Sequence, residues 1–146
     1  MRLTTHTDYA LRVLMTLAVA DADRLVTIEE LAGRHRISRN HLMKVAQTLV
    51  RLGLVKGVRG RAGGLALACD PKEIRMGHVV RMLETDMEIV ACLGREPVGC
   101  ALTGLCRLTG AFRSAVEAFL AELDRLTLAD LVLQRAGVRE RLAIAS

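Results

Sequence analysis

Apolar residues recur at helical spacing from the start of the chain. Tyr9, Val13, Leu14, Leu17 and Ala18 share one face, and Thr5 with Asp8 forms the T-x-x-D pattern that opens a helix. Residues 21–24 break it. Thr27 and Glu30 repeat the capping box ahead of a short helix containing Ile28, Leu31 and Ala32, and residues 33–37 read as a connection. Ser38 is the expected N-cap of a third helix running to Leu52, with Leu42, Val45, Ala46 and Leu49 as its buried stripe and Gly53 as its stop. Beyond Gly53 the pattern becomes that of two short strands, one holding Leu54, Val55 and Val58 and the other Leu65 to Ala68. The glycine-rich tip between them, residues 59–64, carries two arginines. A short helix, a brief turn, a second helix and a basic hairpin predict a winged helix-turn-helix.

Asp70 and Pro71 read as an N-cap with proline at the first helical position. They would open a helix that turns Met76, Val79, Val80 and Leu83 inward and ends near Glu84. After a gap, the period resumes from about Thr103 through Leu105, Leu108, Ala111, Phe112, Ala115, Val116, Phe119, Leu120 and Leu123. This long amphipathic helix is more apolar than one short domain can cover, which suggests that two subunits share it. Thr127 and Asp130 open a last helix with Leu128, Leu131 and Val132, and residues 137–146 read as frayed. The expected fold class is mainly α with a small β wing. Residues 1–84 form the winged-helix DNA-binding domain, 85–107 a cysteine loop, and 108–146 a dimerisation helix and C-terminal tail.

Composition agrees with packed helices. Hydrophobic residues are 51% of the chain and aromatics 2%, so the core must be Leu, Val, Ile, Ala and Met, whereas a β-sandwich favours aromatic and β-branched residues. No apolar run reaches the roughly 18 residues of a membrane span, and the N-terminus lacks the apolar stretch of an export signal. The expected compartment is the cytoplasm, where clustered cysteines read as metal or redox sites rather than disulfides.

Charge is unevenly placed. The net charge is +5, but residues 1–68 carry eleven Lys/Arg against five Asp/Glu, and 69–146 carry ten against eleven. From Leu31 to Cys69 there is no acidic residue, while Arg34, Arg36, Arg39, Lys44, Arg51, Lys56, Arg59 and Arg61 fall there. A one-signed block of this kind marks a surface for nucleic acid. Ser38, Arg39, Asn40, His41 and Lys44 occupy the first turns of the reading helix, and Arg59, Gly60, Arg61 and Gly63 the wing. A nucleotide-phosphate loop at Gly60, Gly63 and Gly64 would need a following G-K-[ST], which is absent.

The gap before the long helix holds Cys92, Cys100 and Cys106, spaced C-x7-C-x5-C among Gly94, Pro97, Gly99 and Gly104. Three soft thiolates on a pliable loop can take an iron–sulfur cluster or zinc; three unrelated buried thiols are the alternative. The fourth position would belong to another residue type, to another subunit, or stay open. Cys69, away from the loop, reads as a small buried hydrophobe. His35 and His78 read as neighbours of apolar residues, and His6 lies near a helix start. No nucleophile–base pair or cofactor fingerprint supports an enzyme or electron carrier.

In this order, LTTHTDYALRVL, ISRNHLMKVAQTL, RLGLVKGVRGRAGGLALA and the three-cysteine loop resemble the NsrR/IscR family of dimeric winged-helix regulators over residues 1–133. SRNHLMK and AFLAELDRLTLADLV are most similar to its nitric-oxide-sensing branch. The resemblance implies an iron–sulfur cluster, 4Fe–4S in preference to 2Fe–2S, held by Cys92, Cys100 and Cys106 with a fourth ligand of another kind. In the nitric-oxide-sensing branch that ligand is an aspartate of the partner subunit's first helix, which matches Asp8; a helix cap is the other reading of Asp8. In the IscR branch it is a histidine three residues after the last cysteine, where this chain has Thr109. The first cysteine spacer, seven residues, is longer than the family commonly shows. The implied function is a homodimeric repressor on double-stranded operator DNA that lets go under nitrosative stress, when nitric oxide nitrosylates the cluster. A 2Fe–2S regulator of cluster supply or redox state is the alternative.

Overall fold

The computed structural model describes residues 2–21, 23–60, 62–94 and 99–144. Helix α1 (Thr5–Val19) begins one residue earlier than the T-x-x-D pattern places it. Its N-cap is Thr4, whose hydroxyl accepts the Thr7 amide at 3.2 Å. Asp8 therefore stands one position beyond the capping box, and its own amide continues the helix to the Thr4 carbonyl. Val13, Leu14 and Leu17 enter the core as their spacing predicts, Tyr9 and Ala18 are only partly buried against it, and Ala10, which the pattern does not mark, is fully buried.

Helix α2 (Ile28–His35) has the expected box, with Thr27 and Glu30 capping each other reciprocally. It runs on through Gly33, which is a helix interior and not a connection. The turn to the next helix is made by Arg36, at φ 54, while the Ile37 amide returns to the Ala32 carbonyl. Helix α3 (Arg39–Arg51) starts at Ser38 and buries Leu42, Val45, Ala46 and Leu49. It ends in a Schellman motif. Gly53 takes φ 72, and the amides of Gly53 and Leu54 bond the carbonyls of Val50 and Leu49.

Strands β1 (Val55–Val58) and β2 (Gly64–Leu67) pair antiparallel, with Val55 opposite Leu67 and Val58 opposite Gly64. The root of this wing is stitched to the segment before α2, where Val26 and Leu65 exchange backbone hydrogen bonds of 2.9 and 2.8 Å. Gly64 permits that approach, since a Cβ there would sit 2.9 Å from the Val26 carbonyl oxygen.

Asp70 and Pro71 do not open a helix. Asp70 accepts the Lys72 and Glu73 amides in a local turn, and α4 (Met76–Leu83) begins after Arg75. Its first amide, of Met76, bonds the Leu126 carbonyl instead of a side-chain cap. A single 3-10 turn (Ala91–Leu93) follows, then α5 (Arg107–Asp124), α6 (Leu128–Leu131) and α7 (Arg135–Arg141). Helix α5 starts later than the apolar period suggests. Leu105 lies in the turns before it and is 85% exposed.

The core joins α1, α2, α3, the hairpin, α4 and α6. Helix α5 packs closely on α4 at Gly77, where a Cβ would come 2.6 Å from the Leu120 carbonyl oxygen. Leu120 is the single buried residue of α5. Its remaining apolar positions stay exposed or half-exposed. The expectation of a frayed tail is overturned for residues 137–141, which belong to α7. Arg135 and Arg139 donate to the Ala20 and Val19 carbonyls at 2.7 and 3.0 Å, and Arg139 also pairs with Asp21 at 2.7 Å. Val19, Val132 and Ile144 make a second small core there. Among the described residues, no helix is long and apolar enough to cross a membrane.

Candidate DNA-reading surface and cysteine site

The exposed side of α3 is set by its buried stripe. With Leu42, Val45, Ala46 and Leu49 inside, Arg39, Asn40, His41 and Lys44 are all left in solvent. Ser38 is occupied in capping, its hydroxyl accepting the His41 amide at 3.4 Å. Arg39 is held by Glu29, from the first turn of α2, at 2.5 Å. The His41 ring rests against Tyr9 of α1, with centroids 6.0 Å apart and planes inclined by 43°.

At the wing, Arg59 and Gly60 are exposed. Gly60 has φ 116, and the Gly63 amide closes the tip onto the Gly60 carbonyl at 3.0 Å. A Cβ at Gly63 would lie 2.3 Å from the Val58 carbonyl oxygen, so the tip closes only with glycine there. Arg61 lies outside the described residues. A groove separates the wing from α3, bounded by Gln47, Val50 and Arg51 on one side and Val58, Arg59 and Gly60 on the other. Arg51 thus joins the cationic surface although its place at the helix end gave no sign of it beyond its charge. Lys56 faces the α1 side instead, near Asp21 and Arg24.

Of the three loop cysteines, Cys92 is exposed in the 3-10 turn and Cys106 is the N-cap residue of α5. They meet at Thr109. The Cys92 sulfur lies 3.6 Å from the Thr109 hydroxyl. Hydrogen bonding of Cys106 to the Thr109 amide, then to the Thr109 hydroxyl and the Leu108 amide, draws its thiol pKa below the ordinary value. A helix N-terminus favours thiolate in this way. Thr109 mattered in the sequence only as the place of a missing histidine; its contact with two thiols needs the helix geometry. Cys100 is exposed, its carbonyl accepting the Thr103 hydroxyl at 2.7 Å. Residues 95–98 of the first spacer lie outside the described residues. Among the described residues, no three His, Cys, Asp or Glu side chains are gathered closely enough to hold a metal. The donor set itself suits iron: soft sulfur, one thiol biased toward thiolate, a second thiol beside it and a third on the same loop. Cys69 differs in kind, because burial, then Glu73 and Asp70, push its pKa up.

Asp8 is half-exposed and engaged by Arg12, at 2.9 and 3.1 Å, one turn on. It shares a surface depression with Leu3, Tyr9, His35 and Ile37. His35 bonds the Thr16 hydroxyl at 2.8 Å, and burial, then Arg12 and Arg34, lower its pKa.

Comparison with known proteins gives a consistent result. A family model described as Rrf2, iron-dependent transcriptional regulator, matches residues 3–134. The chain is 42% identical to the HTH-type transcriptional regulator NsrR of Shouchella clausii, covering 95% of this chain and 93% of that one. It is 44% identical to the NsrR of Geobacillus kaustophilus, with 97% of each chain covered. Among solved structures, the B. subtilis global cysteine regulator CymR superposes with a TM-score of 0.74 at 25% identity, covering 92% of this chain and 98% of that one. IscR of T. potens gives 0.71 at 25% identity, over 92% and 88%.

Proposed function

As the chain belongs to the Rrf2 family of iron-dependent transcriptional regulators, we propose that it is a homodimeric repressor that senses nitric oxide through a 4Fe–4S cluster. The division of labour follows the chain: a winged helix to residue 84, a cysteine loop over 85–107, and α5 as the dimerisation helix. Cys92, Cys100 and Cys106 would hold the cluster. The observation that carries the reading is Thr109. It touches both Cys92 and Cys106 and brings no metal-binding nitrogen, so a fourth ligand has to come from elsewhere, and Asp8 of the partner subunit is the candidate. Bound by these residues, the cluster would supply iron chemistry responsive to nitric oxide.

The chain's own residues supply the readout. Freeing the Asp8 carboxylate for a partner means opening its exposed pair with Arg12, which costs little. The next residue, Tyr9, lies against His41 on α3. A shift of the first turn of α1 therefore reaches the reading helix through one ring contact. In a dimer, two copies of α3 must match half-sites about one helical turn apart, and a small rotation at each one lowers affinity on both. Leu102, Leu105 and Leu108, exposed around the cysteines, supply an apolar cover when α5 pairs with its partner.

The test is made on protein purified without oxygen. It should contain iron and sulfide, run as a dimer, and hold operator DNA until nitric oxide is added. Cys92→Ala, Cys100→Ala and Cys106→Ala should each lose the iron and its colour, whereas Cys69→Ala keeps both. Colourless protein with stoichiometric zinc, or DNA binding indifferent to nitric oxide, would overturn the proposal.

A further inference from the structure

The reading helix carries a second stripe that its charge does not explain. Asn40, Met43, Gln47 and Val50 fall at i, i+3, i+7 and i+10, which keeps them on one face of a helix. All four are exposed, and that face points well away from the buried stripe. Met43 and Val50 leave 42% and 44% of their surface in solvent. Neither the Asn40 nor the Gln47 amide makes a hydrogen bond among the described residues. Lys44 and Arg51 stand around the stripe with Arg39, which is in an exposed pair with Glu29 of α2, and no acidic residue occurs on α3 itself. Two free carboxamides and an exposed methionine in a cationic frame make a patch complementary to the floor of a DNA groove.

We propose that this stripe reads A·T base pairs in the major groove, with Asn40 and Gln47 on adenine and Met43 against the 5-methyl group of thymine. Adenine offers one acceptor, N7, and one donor, the N6 amine, and a carboxamide matches that pair with its own donor and acceptor. Guanine offers two acceptors there and suits arginine, so Arg39 at the start of the stripe serves guanine or phosphate. The thymine methyl is the apolar group of the major-groove code. An unbranched, polarisable thioether can settle on it without demanding one rotamer. Val50 lies further along, where the helix faces the wing across the groove, and the intervening sugar–phosphate strand meets it there.

The inference rests on DNA binding through α3, and the experiment separates the two. The probe is a duplex selected by the wild-type protein from a randomised library. In that duplex each thymine is replaced in turn by deoxyuridine, which deletes only the methyl, and each adenine by 7-deazaadenine, which deletes only N7. One uracil in one half-site should weaken wild-type binding about three- to fivefold, the worth of one buried methyl. Met43→Ala should bind thymine and uracil duplexes equally, and Met43→Leu should keep the preference. Asn40→Ala and Gln47→Ala should each lose sensitivity to one 7-deazaadenine that weakens the wild type. Indifference of the wild type to every uracil, or a preference for thymine that survives in Met43→Ala, overturns the proposal. Failure of the library to yield any bound duplex would instead remove DNA reading by α3.

Discussion

The Glu84 carboxylate holds the start of α1, its Oε1 accepting the Thr4 amide at 2.7 Å and the Thr4 hydroxyl at 3.1 Å across 80 residues of chain. Glu84 is 8% exposed, and the chain leaves it directly for the cysteine loop. The N-terminal turn that carries Asp8 and the entrance to the cysteines thus share one anchor. Glu84→Ala leaves the Thr4 amide unpaired and should cost about 1–3 kcal/mol of unfolding free energy. Glu84→Gln, which keeps an acceptor oxygen, should cost less. Urea unfolding of the two variants measures both, and an alanine variant as stable as the wild type would remove the anchor.

Because Thr4 caps α1, Asp8 has no cap to lose. Its pair with Arg12 is exposed and worth at most about 0.5 kcal/mol. Asp8→Asn should therefore leave stability almost unchanged while altering the absorption of the iron-loaded protein and its response to nitric oxide. If spectrum and response both match the wild type, Asp8 is a surface partner of Arg12 and nothing more.

The cations on either side of the groove and the first turns of the reading helix should fail differently. Arg59→Ala and Arg51→Ala are expected to weaken binding to all sequences and to flatten its salt dependence by roughly one unit of slope per lost phosphate contact. His41→Ala removes the ring contact with Tyr9 and should change which operator is preferred. Titrations over a salt series, run on two unlike duplexes, distinguish the cases.

Arg81 grips Asp124 with bonds of 2.9 and 2.6 Å between α4 and α5. Hydrogen bonding from Arg81 holds the Asp124 carboxyl below its ordinary value of 3.8. A depressed folded-state pKa means stability that is present above that ordinary value and is lost as pH falls through the folded one. Asp124→Asn should therefore soften the acid-side decline and change little at neutral pH, since the pair is partly exposed. Gly77→Ala would drive a Cβ into Asp124 and the Leu120 carbonyl, and should cost about 1–3 kcal/mol at every pH. Unfolding midpoints against pH decide both.

Much of this was legible because local chemistry and packing agreed. Ser38, the stripe from Leu42 to Leu49, and Gly53 each point to the same helix, and α3 forms between those limits. Where the readings missed, one local signal had a competitor. Thr4 and Thr5 both can cap, and the reach of Glu84 to Thr4 lies 80 residues away in sequence. Gly33 resembles a breaker, but its place on the solvent side of α2 lets the helix run on until Arg36 turns it. Asp70-Pro71 looks like a helix start, yet the amide of Met76 finds the Leu126 carbonyl and the helix begins there. Residues 137–141 lack a strong apolar period, so the arginines that dock α7 could not be told from solvated charge. At the cysteines, ligand types and spacing were plain, but Thr109 as their common neighbour depends on how the 3-10 turn lies against α5.

Arg135 and Arg139 have a consequence for how the protein is made. They close the last carbonyls of α1 from 115 to 120 residues downstream, while Glu84 closes its first amide. Contacts so distant form late, because the intervening chain must first be brought round. A growing polypeptide has therefore emitted its whole reading helix and wing before the helix they lean on is secured at both ends. A chain broken before Arg135 would carry all of α3 and both wing strands while α1 stays open at its C-terminal end. Both ends of α1 are therefore secured only once synthesis has passed Arg139.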